Sequence, residues 1–356
     1  MTAPRSDRRA GVAMAQVQTV TGWVSASEMG ITLPHEHIFV DMRPTWSKPD
    51  REDKLGLVDA HISLEIMGSL MHDMAVCKEN LVLDDPDAAA GELRGFQSLG
   101  GKTIVDVTTR GLSPNPSALR DLSRRLGLNI VAGTGYYTAR THPPDIAEKT
   151  EDQLAEEMIR DAEEGLQGGD VKAGIIGELG ISHPIADNEK KVLQAAAHAQ
   201  RSTGLAISVH LPWKGKHAPT VIHTLESQGV DPRRIIIDHM DDMEDMTFEY
   251  HRTVAEHGVY LEFDCFGQED YVEEQNFIHP RDIDRITALK RLVDIGYIDS
   301  ILLSQDVCLK TYTRKYGGYG YDHILRTIIP MMKRNGLTET EINYMMIQNP
   351  ARVLAC

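Results

Sequence analysis

Cysteine is rare in this sequence of 356 residues, and its four occurrences are far apart. Cys77, Cys265, Cys308 and Cys356 form no Cys-x-x-Cys motif, so we interpret them as reduced thiols. Their spacing excludes the disulfide framework of a small secreted domain. Long apolar runs are also missing, because none approaches the ~20 residues that a membrane-spanning helix needs. The sequence therefore predicts no membrane partner.

Positive charge is in deficit. The chain carries 37 Lys and Arg against 53 Asp and Glu, which gives a net charge of −16 and a pI near 5.4. Non-specific nucleic-acid binding requires clustered Lys and Arg, so we expect no nucleic-acid partner. A signal peptide is not expected either, because residues 1–15 are polar and Arg-rich and lack an apolar segment. We predict a disordered leader over 1–15 and one cytoplasmic domain over 16–356.

Repetition dominates the rest of the chain. Short β-branched runs alternate with amphipathic helical segments, and several of these segments end at a glycine, as at Gly127 and Gly204. The eight predicted strands begin near Ile31, Thr103, Asn129, Ala173, Ala206, Arg234, Val259 and Ser300. Strands that are each followed by a helix predict an α/β fold, a parallel (β/α)8 TIM barrel. The alternative is an open doubly wound sheet. That fold typically carries a Gly-x-Gly-x-x-Gly loop after the first strand, and the sequence has none there.

Two additions to the barrel are predicted. Residues 17–30 alternate apolar and polar side chains around a Thr-Gly turn, which indicates an N-terminal β-hairpin that caps one barrel end. A long insertion follows the first strand over residues 43–95 and contains a helical run near 64–74. Connections of this length are often functional, as a lid or as an interface.

The first strand leads into His35-Glu36-His37. Residues i and i+2 of a strand point to the same side, so the two imidazoles are expected to face one point. Active sites of such barrels lie at the C-terminal strand ends. The polar residues predicted at those ends are His35, His37, Glu178, His210, His239 and Asp306. Burying them together without partners would cost several kcal/mol. The set therefore predicts two divalent cations sharing a carboxylate, with Zn²⁺ as the default and Mn²⁺, Co²⁺ or Fe²⁺ as alternatives.

These motifs resemble the amidohydrolase superfamily and, within it, the phosphotriesterase family, especially its phosphotriesterase-related and lactonase branches. The matching segments are LPHEH (33–37), GTGYY (133–137), AGIIGELG (173–180), SVH (208–210), DHMDD (238–242), LLSQD (302–306) and NPARVLA (349–355). The resemblance implies that His35, His37 and Asp306 hold one cation. It likewise assigns His210 and His239 to the other.

Glu178 departs from the founding members of that family. Those proteins place a carboxylated lysine at this position, whereas the related-protein branch has a glutamate. Lys172 is not a substitute, because it lies six residues earlier on an extended strand, ~20 Å away. A glutamate bridge needs no CO2-dependent modification.

The resemblance implies a hydrolase in which a metal-bridging hydroxide attacks a lactone or carboxylic ester carbonyl. Asp306 would accept the proton of the hydroxide. Asp242 is either a relay for this proton or a carboxylate at a helix start, and the sequence leaves both interpretations open. Asp264 is a weaker candidate, because Cys265 stands after it where the family tends to carry histidine.

Substrate contacts are expected from loops at the same barrel end. The candidates are Tyr136, Tyr137, Trp213, Tyr271 and Cys308. The sequence does not show which of the two tyrosines faces the pocket. The basic residues Arg110, Arg281, Arg285 and Lys310 could bind a substrate carboxylate or phosphate, but we interpret each as a solvated or helix-capping charge. We assign no role to the remaining histidines, which include His279.

The expected partner is a small-molecule substrate, and a homodimer is the expected assembly. Lactone or ester hydrolysis has an alternative in N-acyl amide hydrolysis, with phosphotriester cleavage as a side activity. A ligand-binding barrel without turnover is the non-enzymatic alternative.

Overall fold

The computed structural model describes residues 15–242 and 248–356. Apart from Ala15, the predicted leader lies outside the described residues. Within them, the strands are β1 (Gln16–Thr19), β2 (Gly22–Ser25), β3 (Ile31–Glu36), β4 (Val40–Asp41), β5 (Val82–Leu83), β6 (Gly101–Asp106), β7 (Asn129–Thr134), β8 (Ile175–Gly180), β9 (Ile207–His210), β10 (Ile235–Ile237), β11 (Tyr260–Phe263), β12 (Tyr271–Val272), β13 (Phe277–Ile278) and β14 (Ile301–Leu303).

The helices pack outside these strands. They are α1 (Leu64–Leu70), α2 (Pro86–Ser98), α3 (Pro116–Leu126), α4 (Glu151–Glu163), α5 (Asp187–Thr203), α6 (Ala218–Ser227), α7 (Phe248–Glu256), α8 (Asp282–Asp294), α9 (Ile329–Arg334), α10 (Glu339–Asn343) and α11 (Asn349–Leu354). Two π-helical turns, Ile324–Ile328 and Tyr344–Gln348, precede α9 and α11. No helix in the described ranges is long and apolar enough to cross a membrane.

Eight parallel strands form the central sheet, in the order β14-β11-β10-β9-β8-β7-β6-β3. Nearly all of their side chains are buried, on both faces of the sheet, as the β-branched runs predict. A hydroxyl joins the two outer strands, because Ser304 Oγ accepts from His35 N at 3.1 Å and donates to His35 O at 2.7 Å. The prediction of a (β/α)8 barrel is confirmed.

The N-terminal hairpin, β1–β2, closes the end of the barrel opposite the strand C-termini. Val17, Ala26 and Met29 pack with the buried strand residues Val105 and Ile236. Apolar side chains therefore fill this end of the barrel, and the polar residues predicted at the strand ends lie at the opposite end.

The insertion after β3 ends earlier than predicted. Asp85 caps a helix by accepting the N–H groups of Asp87 and Ala88, and this helix, α2, buries Leu93 and Phe96 in the main core. Residues 86–98 are thus the barrel helix that precedes β6, so the predicted limit at 95 is wrong and the irregular segment stops near 85.

This insertion lies against the loops that follow β11 and β14. Met74 and Leu81 pack with Leu309 and Tyr312 in one small apolar cluster. Lys54 Nζ lies 2.6 Å from Glu273 Oε2 across the same contact. The insertion therefore forms one wall at the C-terminal end of the barrel.

Candidate metal centre

One group of candidate ligands gathers beside β3. His35, His37 and Asp306 offer ligand atoms that lie within 4.8 Å of one another. His37 Nε2 is 3.3 Å from Asp306 Oδ1, and its Nδ1 is 2.9 Å from Thr108 Oγ1. This contact with the threonine hydroxyl orients the His37 ring so that Nε2 faces the centre.

A second group gathers at the ends of β8, β9 and β10. Glu178, His210 and His239 again offer ligand atoms within 4.8 Å of one another. Glu178 connects the two groups, because its Oε1 lies 3.1 Å from His37 Nε2 and its Oε2 lies 3.2 Å from His210 Nδ1. Five of the six residues that the sequence singled out thus converge around the sixth, the carboxylate of Glu178.

The donor set fits divalent cations. Both ring nitrogens of His35 and Oε2 of Glu178 are buried without a hydrogen-bond partner in the part of the chain that the structure describes. Burial acts to raise the pKa of Glu178, but the surrounding histidines outweigh it and hold that pKa well below its usual range. Buried imidazole nitrogens with an ionised carboxylate are the ligands that Zn²⁺ and related cations take.

Two of the candidate ligands occupy the left-handed region of the backbone. His239 has φ of 56° and Asp306 has φ of 48°. Such conformations are costly for residues other than glycine, and they persist where surrounding contacts hold them. Glu36 supplies part of this support, because it faces away from its two histidine neighbours and accepts the N–H groups of Gln305 and Val307 at 3.0 and 2.9 Å.

A layer of buried carboxyl groups lies beneath His35. Its Nδ1 is 3.3 Å from Asp264, 3.5 Å from Glu262 and 3.7 Å from Asp238. Burial raises the pKa of Asp238 and of Glu262. Burial also acts to raise the pKa of Asp264, but His239 and His35 outweigh it and lower that pKa to about 2. Sequence reasoning missed Asp238 and Glu262, although the spacing of Glu262 and Asp264 places both on one strand face.

The interpretation of Arg285 as a solvated charge is wrong. This side chain is fully buried, and its Nε lies 3.1 Å from Asp241 Oδ2. Asp241 in turn accepts the N–H groups of Asp264 and Cys265. Asp264 Oδ1 is 2.9 Å from His239 Nδ1, so this network reaches a candidate ligand.

Asp242 meets a histidine to which the sequence assigned no role. His279 Nδ1 lies 2.7 Å from Asp242 Oδ1. His279 follows the small β12–β13 ribbon, which lies in the loop between β11 and α8. No local pattern signals this pair, because 37 residues separate its members.

The two tyrosines after β7 point in different directions. Tyr137 Oη lies 3.3 Å from His210 Nδ1, so this tyrosine faces the centre. Tyr136 is fully buried, and its hydroxyl donates to Glu157 on α4. Burial raises the pKa of Tyr137, so its hydroxyl stays protonated and available as a donor.

The other predicted substrate residues lie in the surrounding loops. Trp213 stacks on Phe277 with ring centroids 4.7 Å apart. Tyr271 donates to Asn276 within the β12–β13 ribbon. Cys308 is half-buried two residues after Asp306, against the cluster that contains Met74. Cys308 and Trp213 thus belong to the walls of this end of the barrel, while the hydroxyl of Tyr271 is engaged in its own ribbon.

A cavity of about 470 Å³ opens between the insertion and the loop after β14. Its apolar walls include Leu64, Met67, Met71, Phe266 and Tyr319. Gln268 lines the same cavity, and its Nε2 lies 3.4 Å from Asp306 Oδ2. The cavity therefore adjoins the centre through this glutamine.

Comparisons with known proteins agree with this geometry. The model of the phosphotriesterase family matches residues 15–354. The chain is similar to an N-acetyltaurine hydrolase of Danio rerio, with 35% identity over 95% of this chain and 97% of that protein. Among solved structures, a resiniferatoxin-binding protein from Rhodobacter sphaeroides superposes with a TM-score of 0.94, at 38% identity over 96% of both chains. The lactonase Lmo2620 from Listeria monocytogenes superposes with a TM-score of 0.78, at 25% identity over 95% of this chain and 98% of that one.

Proposed function

Because the chain belongs to the phosphotriesterase family and is a hydrolase, we propose that it cleaves a carboxylic acyl bond at a centre of two divalent cations. The convergence of the five other candidate ligands around Glu178 carries this proposal. His35, His37 and Asp306 would hold one cation, and His210 with His239 the other, with Glu178 between them. We propose Zn²⁺, with Mn²⁺, Co²⁺ or Fe²⁺ as alternatives. When bound, the cations supply Lewis acidity, which activates water and polarises a carbonyl.

We assign the remaining chemical roles to side chains in and around the centre. Asp306 is the proposed proton acceptor, because its carboxylate lies among the ligands and is only partly exposed. Tyr137 is the proposed donor to a substrate oxygen beside His210. Asp242 is the proposed outer proton carrier, and His279 is its partner toward the ribbon.

An N-acyl amide is the first candidate substrate. Relatives named N-acetyltaurine hydrolase match this chain over nearly its whole length, at 34–36% identity. Amide cleavage needs a proton for the leaving nitrogen, and Asp306 would return the proton that it accepts. This candidate now ranks above the lactone that the sequence alone favoured.

A lactone or ester is the second candidate, and the apolar cavity favours it. No basic residue lines that cavity within the described chain, whereas Glu269 and Asp270 do. Such walls suit a neutral acyl chain and disfavour an anion. A solved neighbour is named a lactonase. Phosphotriester cleavage is proposed only as a side activity.

Because the chain belongs to a hydrolase family, we do not propose the alternative of a ligand-binding barrel without turnover. The homodimer and the cytoplasmic location stay predictions.

The test is metal content per chain, combined with hydrolysis of a substrate panel by protein loaded with Zn²⁺ or Mn²⁺. The panel contains N-acetyltaurine, other N-acyl amino acids, γ- and δ-lactones, aryl esters and paraoxon. We expect about two cations per chain and the fastest turnover on an N-acyl amide. Fewer than one tightly bound cation, together with no turnover on any compound, would overturn the proposal.

A further inference from the structure

We propose that Gln268 is a positioning residue that holds Asp306 in its working geometry, and that the buried Arg285 holds Gln268. This inference rests on the proposed function, in which Asp306 is both a cation ligand and the proton acceptor. Neither Gln268 nor Arg285 belongs to the ligand set, and both come from the segment that follows β11.

Asp306 requires such support because it lies beyond the end of β14 in a left-handed conformation, with φ of 48°. Its own N–H has a long hydrogen bond, 3.3 Å to His35 O. Glu36 binds the N–H groups on either side, at Gln305 and Val307. Glu36 is the acceptor in both of these contacts, so the carbonyl oxygens of Gln305 and Asp306 need a donor from another residue.

Gln268 supplies that partner. Its side-chain amide is 3.0 Å from the Asp306 carbonyl oxygen and 3.1 Å from the Gln305 carbonyl oxygen. Asp306 Oδ2 is third, at 3.4 Å. An amide has two hydrogens, so the two carbonyl groups are its main acceptors, and the carboxylate is held chiefly through its own backbone. Gln268 is 5% exposed, so water does not compete freely for these contacts.

Arg285 fixes the position of Gln268. Its Nη1 donates to the Gln268 carbonyl oxygen at 2.9 Å and to Asp282 Oδ1 at 3.3 Å. Asp282 Oδ1 also accepts the N–H of Gly267 at 2.9 Å. Two consecutive residues of the loop, 267 and 268, are thus tied to the start of α8 through one arginine and one aspartate.

The same guanidinium reaches the other half of the centre. Its Nε lies 3.1 Å from Asp241 Oδ2, and Asp241 accepts the N–H groups of Asp264 and Cys265. Asp264 then bonds both the backbone and the ring of His239. Arg285 is therefore linked to one proposed ligand of each cation. Gln268 connects it to Asp306, and Asp241 with Asp264 connects it to His239. The pKa of Arg285 is lowered by burial but raised more by its carboxylate neighbours, so the charge persists.

The test compares Gln268→Met with Gln200→Met, because Gln200 is another buried glutamine, 6% exposed on α5. Calorimetric titration of Zn²⁺ into the metal-free proteins measures cation affinity, and steady-state kinetics measures kcat and KM. Since contacts behind a ligand typically change metal affinity or activity 10–100-fold, we expect Gln268→Met to weaken cation binding about 10-fold and to lower kcat by a similar factor. With an acetyl substrate, which is too short to use the cavity wall that Gln268 lines, KM should change by less than about 3-fold.

Arg285 is tested by partial rescue. Arg285→Lys keeps one donor and the charge, so it should recover part of the cation affinity that Arg285→Met loses. If Arg285→Met does not fold, Arg285→Lys is compared with wild type instead, and its cation affinity is expected to be lower than that of wild type. Cation affinity and kcat of Gln268→Met equal to those of Gln200→Met would overturn the inference. Calorimetry needs no substrate, so the measured affinities test the inference whether or not the proposed hydrolysis is found.

Discussion

His279 Nδ1 lies 2.7 Å from Asp242 Oδ1, and both side chains are largely buried. Asp242 follows His239 by three residues, whereas His279 belongs to a ribbon in the loop after β11. The Phe277 ring packs against His279 with centroids 5.3 Å apart and stacks on Trp213. The pair therefore fastens a short ribbon to a barrel strand end beside a proposed cation ligand.

This pair should make stability depend on pH. Burial acts to lower the pKa of His279, but the charge of Asp242 and the hydrogen bond to it outweigh burial and raise that pKa above 6.5. Burial acts to raise the pKa of Asp242, but His279 and Arg285 outweigh it and lower that pKa below 3.8. The His279 contribution is complete below its unfolded pKa and is lost as pH rises through the raised folded value. The Asp242 contribution is lost as pH falls through the depressed folded value.

We therefore expect His279→Leu to lower the free energy of unfolding by about 1.5–3 kcal/mol near pH 5, because it removes one hydrogen bond to a buried carboxylate. The difference from wild type should shrink as pH rises above the folded pKa of His279. Urea unfolding of metal-free protein at several pH values measures it. His223→Leu is the control, since His223 is an exposed residue of α6. A deficit of equal size at every pH would contradict the assignment to this ion pair.

Glu178 gives a second prediction. Glu178→Gln keeps the size of the side chain and removes the charge between the two ligand groups, so it should lower bound metal from about two cations per chain to one or fewer. Elemental analysis after dialysis measures this. Glu164→Gln, at the exposed end of α4, is the matched control. Retention of two cations by Glu178→Gln would show that this carboxylate does not bridge them.

The neighbouring tyrosines provide a third prediction with its own control. Tyr137→Phe should lower kcat/KM about 10-fold, the effect of losing one hydrogen bond of about 1.4 kcal/mol to the transition state. Tyr136→Phe should leave kinetics within about 2-fold and cost about 1 kcal/mol of stability, because its hydroxyl bonds Glu157 outside the barrel. Equal values of kcat/KM in the two variants would contradict the assignment of Tyr137 to the substrate site.

The sequence predicted what local spacing determines. Alternation along a strand placed His35 and His37 on one side, and the repeat of strands and helices placed Glu178, His210 and His239 at one barrel end. The fold and the cluster of candidate ligands both follow from such short-range patterns. The end of the insertion was misjudged because Asp85-Pro86, a strong helix start, was not used as a boundary.

The supporting residues could not be found in this way. Arg285 looks like an exposed helix residue until Asp241, 44 positions earlier, is brought against it. Gln268 has no pattern at all, because its acceptors are backbone oxygens of another loop. Buried polar networks depend on which distant segments the fold brings together, and a single sequence does not record this. Glu262 is different, since its spacing from Asp264 was available as a signal.

The apolar cavity gives the last prediction, which separates short from long acyl substrates. Met71 lines the cavity and is 61% exposed, so Met71→Glu should fold normally while placing a charge on the wall. Each buried methylene contributes about 0.8 kcal/mol. If a hexanoyl chain lies against this wall, Met71→Glu should therefore lower kcat/KM for a hexanoyl substrate at least 10-fold. The kcat/KM for an acetyl substrate should change little. Ile295→Glu is the control, because Ile295 is 50% exposed at the end of α8 and does not line the cavity. If Met71→Glu slows both substrates equally, the wall affects the centre as a whole. If it slows neither, the acyl chain lies elsewhere, and the second candidate function loses its structural support.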